Sequence, residues 1–202
     1  MTLSLVTEPS GYPITVDEAK AHMWGSIDSN DDPLVSGIIG VATNMVETYT
    51  GRKIMPQVWQ LVTDMPNNVD AVDYIWIHKY PLNYMSTLNN TIQLPFAPVT
   101  DVSGVWCTDK DNVETEFAST NYTVITTEPA LIQLNDGVVW PTQLRLNAPV
   151  RIIYTIGYTT VPIVIKTAIA STVAHLYEHR GDDNTGGLPP IAMSLLDTYV
   201  VR

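Results

Sequence analysis

Cysteine is almost missing from this chain of 202 residues: Cys107 stands alone, which excludes an internal disulfide and any site built from several thiolates. Basic residues are scarce too, 10 Lys and Arg against 21 Asp and Glu, for a net charge of −11. Nonspecific grip on nucleic acid needs clustered cations that displace counterions from phosphates, and the few cations here are scattered, so a DNA-gripping protein is disfavoured. Long apolar runs are lacking as well. Arg151 and Lys166 interrupt the most hydrophobic region, so no stretch approaches the length of a membrane span and no membrane partner is expected. Met1 to Gly11 holds no basic cluster followed by an apolar segment, which predicts neither a secretory signal nor a transit peptide. Without a secretion signal, the glycosylation patterns at Asn89-Asn90-Thr91 and Asn121-Tyr122-Thr123 read as chance. A Gly-rich phosphate loop, a G-x-S-x-G elbow and an EF-hand run are all missing.

What is present suffices for a core. The hydrophobic fraction is 45%, and a chain of this size removes roughly 70% of its unfolded surface from water. The pattern predicts one domain, or one domain carrying an insertion. Thr15-Val16-Asp17-Glu18 has the form of a capping box and predicts a short helix to about Met23. After the polar loop Ser26 to Asp32, Asp31 or Asp32 can cap a second helix with Pro33 in its first turn. Its apolar stripe is read as Leu34, Ile38, Val41, Ala42, Met45, Val46 and Tyr49, and Gly51 ends it.

From Ile54 to Gly157 the period shortens. Strands are predicted at Val58 to Met65, Tyr74 to His78, Val102 to Cys107, Tyr122 to Thr126, Ala130 to Leu134 and Val150 to Ile156. Turn chemistry at Asp109-Lys110-Asp111-Asn112 and Asn135-Asp136-Gly137 separates some of them. Pro162 then opens a long helix with Ile165, Ile169, Val173, Leu176 and Arg180 on one side and Gly181 at its end, and a short helix follows near Ile191 to Leu196. The expected fold class is therefore α+β: a small helical bundle from residues 1–53 and 161–202, with an antiparallel β domain inserted over 54–160.

Four features invite a functional reading. His175-Leu176-Tyr177-Glu178-His179 matches H-x-x-E-H, the inverted zinc-protease pattern, and its three polar residues share a helical face. Catalytic zinc needs a third protein ligand, however, and no Glu follows Glu178; only Asp182, Asp183 and Asp197 remain. The bland account is a polar helix end. Asp28, Asp31 and Asp32 suggest calcium but lack the glycine and closing glutamate of such loops, so helix capping is the simpler account. Trp24, Trp59, Trp76, Trp106 and Trp140 are dispersed and read as core or interface aromatics. Finally, Thr167, Ala170, Ser171 and Ala174 form a small-residue face that would let another helix approach closely, across subunits in an oligomer.

Several segments resemble the head-tail connector (head-completion adaptor) family of tailed phages, also found in gene transfer agents. Ile14-Thr15-Val16-Asp17-Glu18-Ala19-Lys20-Ala21-His22, Asp31-Asp32-Pro33-Leu34 and Val46-Glu47-Thr48-Tyr49-Thr50-Gly51-Arg52 are similar to that family's opening helix, acidic loop and helix ending in "YTGR". Trp140-Pro141, Val150 to Tyr158 and Val161-Pro162 resemble its "WP … V-x-YT-x-GY … VP" segment, and Ala174 to Arg180 falls where the family carries "AHWYENR"-like sequence. Two stretches depart from the pattern. Asp70 to Asn90 is longer and reads as an added hairpin, and the end, Leu195 to Arg202, lacks an Arg after the tyrosine.

The resemblance implies a structural virion protein at the neck, without cofactor, metal or catalytic residues. It would bind the portal protein after DNA packaging, form a ring of about twelve copies, extend the DNA channel and dock the tail or stopper protein. About twelve copies at −11 each sum to roughly −130, a field that lets DNA pass without specific binding. Tyr199, Val200, Val201 and Arg202 are the implied portal-binding residues, because an apolar terminus suggests burial against something; a chain stopped at Leu196 is then expected to melt almost unchanged. Ala170, Ser171 and Ala174 are the expected subunit interface. The alternatives are a β-rich binding module of a tail or baseplate and, last, a zinc metallohydrolase.

Overall fold

The structure, a computed structural model, describes residues 1–23, 27–64, 91–180 and 187–201. The chain divides into two compact units, one of Met1–Glu8 with Gln57–Ile156 and one of Pro9–Pro56 with Gly157–Arg202. The class is α+β, with antiparallel sheets in the first unit and helices in the second.

In the β unit, strands β1 (Thr2–Thr7), β2 (Gln57–Thr63), β4 (Val99–Thr108), β5 (Glu114–Phe117) and β8 (Val150–Ile156) make a sheet ordered β1-β2-β8-β4-β5. Strands β3 (Thr91–Gln93), β6 (Tyr122–Ile125) and β7 (Leu131–Leu134) make a second, ordered β3-β7-β6. Central strand β8 shows the period of two that a half-covered strand requires: Val150, Ile152, Tyr154 and Ile156 are buried, and the residues between them are half-buried. Register aligns Leu61 and Val105 on either side of Ile152. These side chains form one core with Ile92, Ile132 and Leu134 from the smaller sheet, at roughly 1.5–3 kcal/mol per large aliphatic buried. Both turns form as expected. Asp109 Oδ1 accepts from Asp111 and Val113 N–H, with Asn112 at φ 62°, and Gly137 takes φ 78°.

Strands β1, β3 and β5 are additions to the sequence reading. Residues 1–8, expected with the helices, instead supply an edge strand paired to β2. Strand β5 alternates Glu and Thr before Phe117, a composition with little β signal of its own, and it is held by pairing to β4. The expected strand Tyr74 to His78, the departure Asp70 to Asn90, Trp24 and Trp76 lie outside the described residues.

In the helical unit, α1 (Val16–His22), α2 (Asp32–Thr50), α3 (Ile163–Glu178) and α4 (Pro190–Leu196) surround one core. The Thr15 capping box is complete: Thr15 Oγ1 accepts from Glu18 N–H at 3.1 Å, and Glu18 Oε2 accepts from Thr15 N–H at 2.8 Å. Helix α2 has proline in its first turn and ends at Gly51 in the left-handed conformation, φ 69°. Asp31 occupies its N-cap position without a side-chain cap bond. The buried face of α2 is rotated by one residue from the expected stripe. Val35, Ile39, Ala42, Thr43, Val46 and Thr50 face inward, whereas Leu34 and Val41 are exposed. Both sets have helical spacing, so periodicity alone does not choose between them. Along α3, Ile165, Ile169 and Val173 are buried as expected, while Arg180 is exposed. Among the described residues no helix is long and apolar enough to cross a membrane.

Candidate functional site

The C-terminal segment docks on the end of α2. A short 3-10 turn over Asp197–Tyr199 follows α4. Tyr49 donates from its hydroxyl to Asp197 Oδ1 at 2.6 Å, a bond that holds the phenol above its usual range. The Thr50 carbonyl accepts from Val201 N–H at 2.9 Å. Arg52, itself 9% exposed, donates from Nε to the Tyr199 carbonyl, and its guanidinium lies 6.0 Å from the Tyr199 ring centre. A Cβ at Gly51 would stand 3.7 Å from Val201 Cβ. Tyr49, Thr50 and Arg52 thus each bond to the tail, and Gly51 lies beside it. Sequence reading singles out that motif and singles out the tail, without the connection between them. Tyr199 packs on the helical core, Val200 is half-buried and Val201 is 38% exposed; Arg202 lies outside the described residues.

The base of this dock is set by Glu47. Its carboxylate accepts from Lys53 Nζ at 2.7 Å and from Ile54 N–H at 2.9 Å, turning the chain as it leaves the helix. Tyr158 N–H returns to the Ile54 carbonyl at 2.9 Å. The adjoining Gly157 has φ 106°, and a Cβ there would come within 2.3 Å of the Met55 carbonyl oxygen. A shallow groove of about 340 Å³ adjoins the dock, lined by Asn44, Met45, Thr48, Tyr49, Leu188 and Met193.

The small-residue face of α3 meets α1 of the same chain. Ala170 is 7% exposed, Ser171 Oγ lies 3.1 Å from His22 Nε2, and Lys166 pairs with Glu18 at 3.4 Å. Ala174 is half-buried against the same core. The close helix approach exists, and the neighbour at Ala170 and Ser171 is intrachain.

The remaining candidates resolve into local bonds. His175 and His179 rings stand 4.5 Å apart, and His179 Nδ1 is 2.9 Å from the His175 carbonyl, while Glu178 is exposed. Among the described residues no three His, Cys, Asp or Glu converge on a point; Gly181, Asp182 and Asp183 lie outside them. Asp28 Oδ1 accepts from Asn30 N–H, Asp31 Oδ2 accepts from the Tyr177 hydroxyl at 2.5 Å, and Asp32 pairs with Lys20. Burial pushes the Cys107 thiol up to about 11, which leaves it protonated and a poor nucleophile at neutral pH. In the β unit, Arg151 forks onto Glu114 at 2.7 and 2.6 Å and lies 4.2 Å above the Trp106 ring. The Arg151 hydrogen bonds hold the Glu114 carboxyl below its ordinary range. Trp140 is buried and stacks on Phe117 with centroids 5.0 Å apart.

The chain thus combines a helical unit and an antiparallel β unit, the α+β class. No protein-family model and no curated protein matches the sequence. Solved structures do match over the full length. A chain described as from the neck of an empty gene transfer agent (GTA) particle, computed with C6 symmetry, is 21% identical with a TM-score of 0.73. The match covers 100% of this chain and 96% of that one. Chains from the virion of a native GTA particle and from the neck of a native GTA particle computed with C12 symmetry are each 20% identical. Both have a TM-score of 0.71 and the same coverage. This chain therefore has the fold of those particle components from end to end.

Proposed function

We propose that this chain is a structural, non-enzymatic component of the neck of a tailed-phage-like particle. It acts as the head-to-tail adaptor: it binds the portal after DNA packaging, assembles as a ring, extends the DNA channel and docks the next tail or stopper component. The observation that carries the reading is the end-to-end fold match to chains of GTA necks. Charge supports it. A net −11 suits a wall that DNA slides past, because phosphates find no clustered cations to exchange for their counterions. The tail, Tyr199 to Arg202, is the proposed portal-contacting segment, released from or presented by its dock on α2.

Deletion of the gene is expected to leave DNA-filled heads without attached tails, and gold-labelled antibody against the chain is expected to mark the head–tail junction in complete particles. Tailed particles assembled in its absence, or label elsewhere on the particle, would overturn the assignment.

A further inference from the structure

We propose that His175 and His179 form a chelating pair for a divalent transition-metal ion of the zinc, nickel and copper class, at the C-terminal end of α3. The neck reading above neither requires this site nor depends on it. The two histidines are four apart, the spacing that sets side chains one above the other on a helix. The structure realises that spacing: the rings stand 4.5 Å apart at an interplanar angle of 42°. One ion bonded at about 2.0–2.1 Å to a nitrogen of each ring spans such a separation. His175 is half-buried and His179 exposed, so solvent reaches the pair.

The hydrogen bond at His179 decides which nitrogen is free. Nδ1 lies 2.9 Å from the His175 carbonyl oxygen. A carbonyl only accepts, so Nδ1 carries the hydrogen, and in a neutral imidazole that leaves the Nε2 lone pair as the ligand atom. Metal-binding histidines are held in this way, the second ring nitrogen donating to a carbonyl or carboxylate that fixes tautomer and ring orientation. The same carbonyl accepts from the His179 backbone N–H at 3.1 Å, which anchors the residue as well as its ring.

Electrostatics favours a cation at this place. His179 caps a helix of 16 residues, whose last carbonyls carry the negative end of the helix dipole. Glu178 is exposed beside it, and the net charge of −11 raises the local concentration of cations. Arg180, whose charge would oppose the ion, is engaged over the Tyr177 ring at 4.3 Å. Ligand type then selects among cations: imidazole suits zinc, nickel and copper, whereas magnesium and calcium take oxygen donors. Two imidazoles leave the other positions of the shell to water, so the site is one of binding, and no reaction is assigned to it.

The test is calorimetric titration of the untagged, chelator-stripped full chain with zinc chloride and with nickel chloride. Saturable binding of one ion per chain is expected, with a melting temperature that rises with free metal because the ion binds the folded site. His175→Gln and His179→Gln are each expected to weaken zinc binding by roughly tenfold or more, at least what loss of an outer-shell partner costs. Their metal-free melts should stay close to wild type, since both rings reach solvent. Magnesium chloride is expected to show no such site, and Glu178→Gln to retain it. A wild type without saturable zinc binding overturns the proposal. So does a double variant, His175→Gln with His179→Gln, that binds zinc like wild type. A site lost in Glu178→Gln with both histidines in place also overturns it, because the ligands would then be carboxylates.

Discussion

Gly157 is the residue whose identity the backbone dictates most directly. Its φ of 106° lies where side chains are rarely tolerated, and a Cβ would stand 2.3 Å from one backbone atom of Met55 and 2.5 Å from another. Neither atom can swing aside as a flexible side chain would, and the next residue is tied down by the bond from Tyr158 N–H to the Ile54 carbonyl. Gly157→Ala is therefore expected to cost about 2–4 kcal/mol, from backbone strain together with the shift the contact forces. A chemical denaturation midpoint indistinguishable from wild type would show that this junction yields. In sequence the same glycine is visible only as one letter of a recurring "GY" segment. The close approach that requires it joins residues far apart along the chain, beyond the reach of any local pattern. Arg52 teaches the same lesson. Its place after Tyr49-Thr50-Gly51 is legible, whereas its partner, the Tyr199 carbonyl, sits at the other end of the chain.

Elements with strong local signals are readable in the sequence, and those defined by their neighbours are not. The Thr15 capping box and the Pro33 start mark α1 and α2 because capping and proline act within one turn. Strand β8 declares itself by its alternation, and the chain's first strand does not, since a six-residue edge strand is specified mostly by pairing to β2. The tail belongs with the second kind. The sequence expectation is that ending the chain at Leu196 leaves stability nearly unchanged, with the apolar terminus reserved for a partner. In the structure, residues beyond Leu196 are bonded to the helical unit at three points: Asp197 to Tyr49, the Tyr199 carbonyl to Arg52 and Val201 N–H to the Thr50 carbonyl. Removing them strips a buried guanidinium of an acceptor and uncovers part of the core under Tyr199. A chain ending at Leu196 is therefore expected to lose about 2–4 kcal/mol, from one half-buried aromatic and several hydrogen bonds. Calorimetry of the purified truncated chain checks this, and an unchanged melting temperature would restore the sequence expectation of a tail that serves only a partner.

For the molecule as a whole, composition is the most informative property of the sequence. It excludes an internal disulfide and any site built from several thiolates of one chain, disfavours a DNA-gripping surface, and sets the sign of the forces between copies. The net charge is −11, so in the proposed ring neighbouring copies repel one another electrostatically. Raising salt from about 0.05 to about 0.5 M shortens the screening length from about 14 to about 4 Å. That weakens the repulsion between neighbouring copies while leaving any apolar contact between them intact. Self-association is therefore expected to tighten severalfold across that range, as read by sedimentation equilibrium. Over the same range the chain should leave duplex DNA unretarded in a gel, even at the low-salt end where cationic proteins bind hardest. Association that weakens as salt rises would instead place ion pairs across the subunit contact.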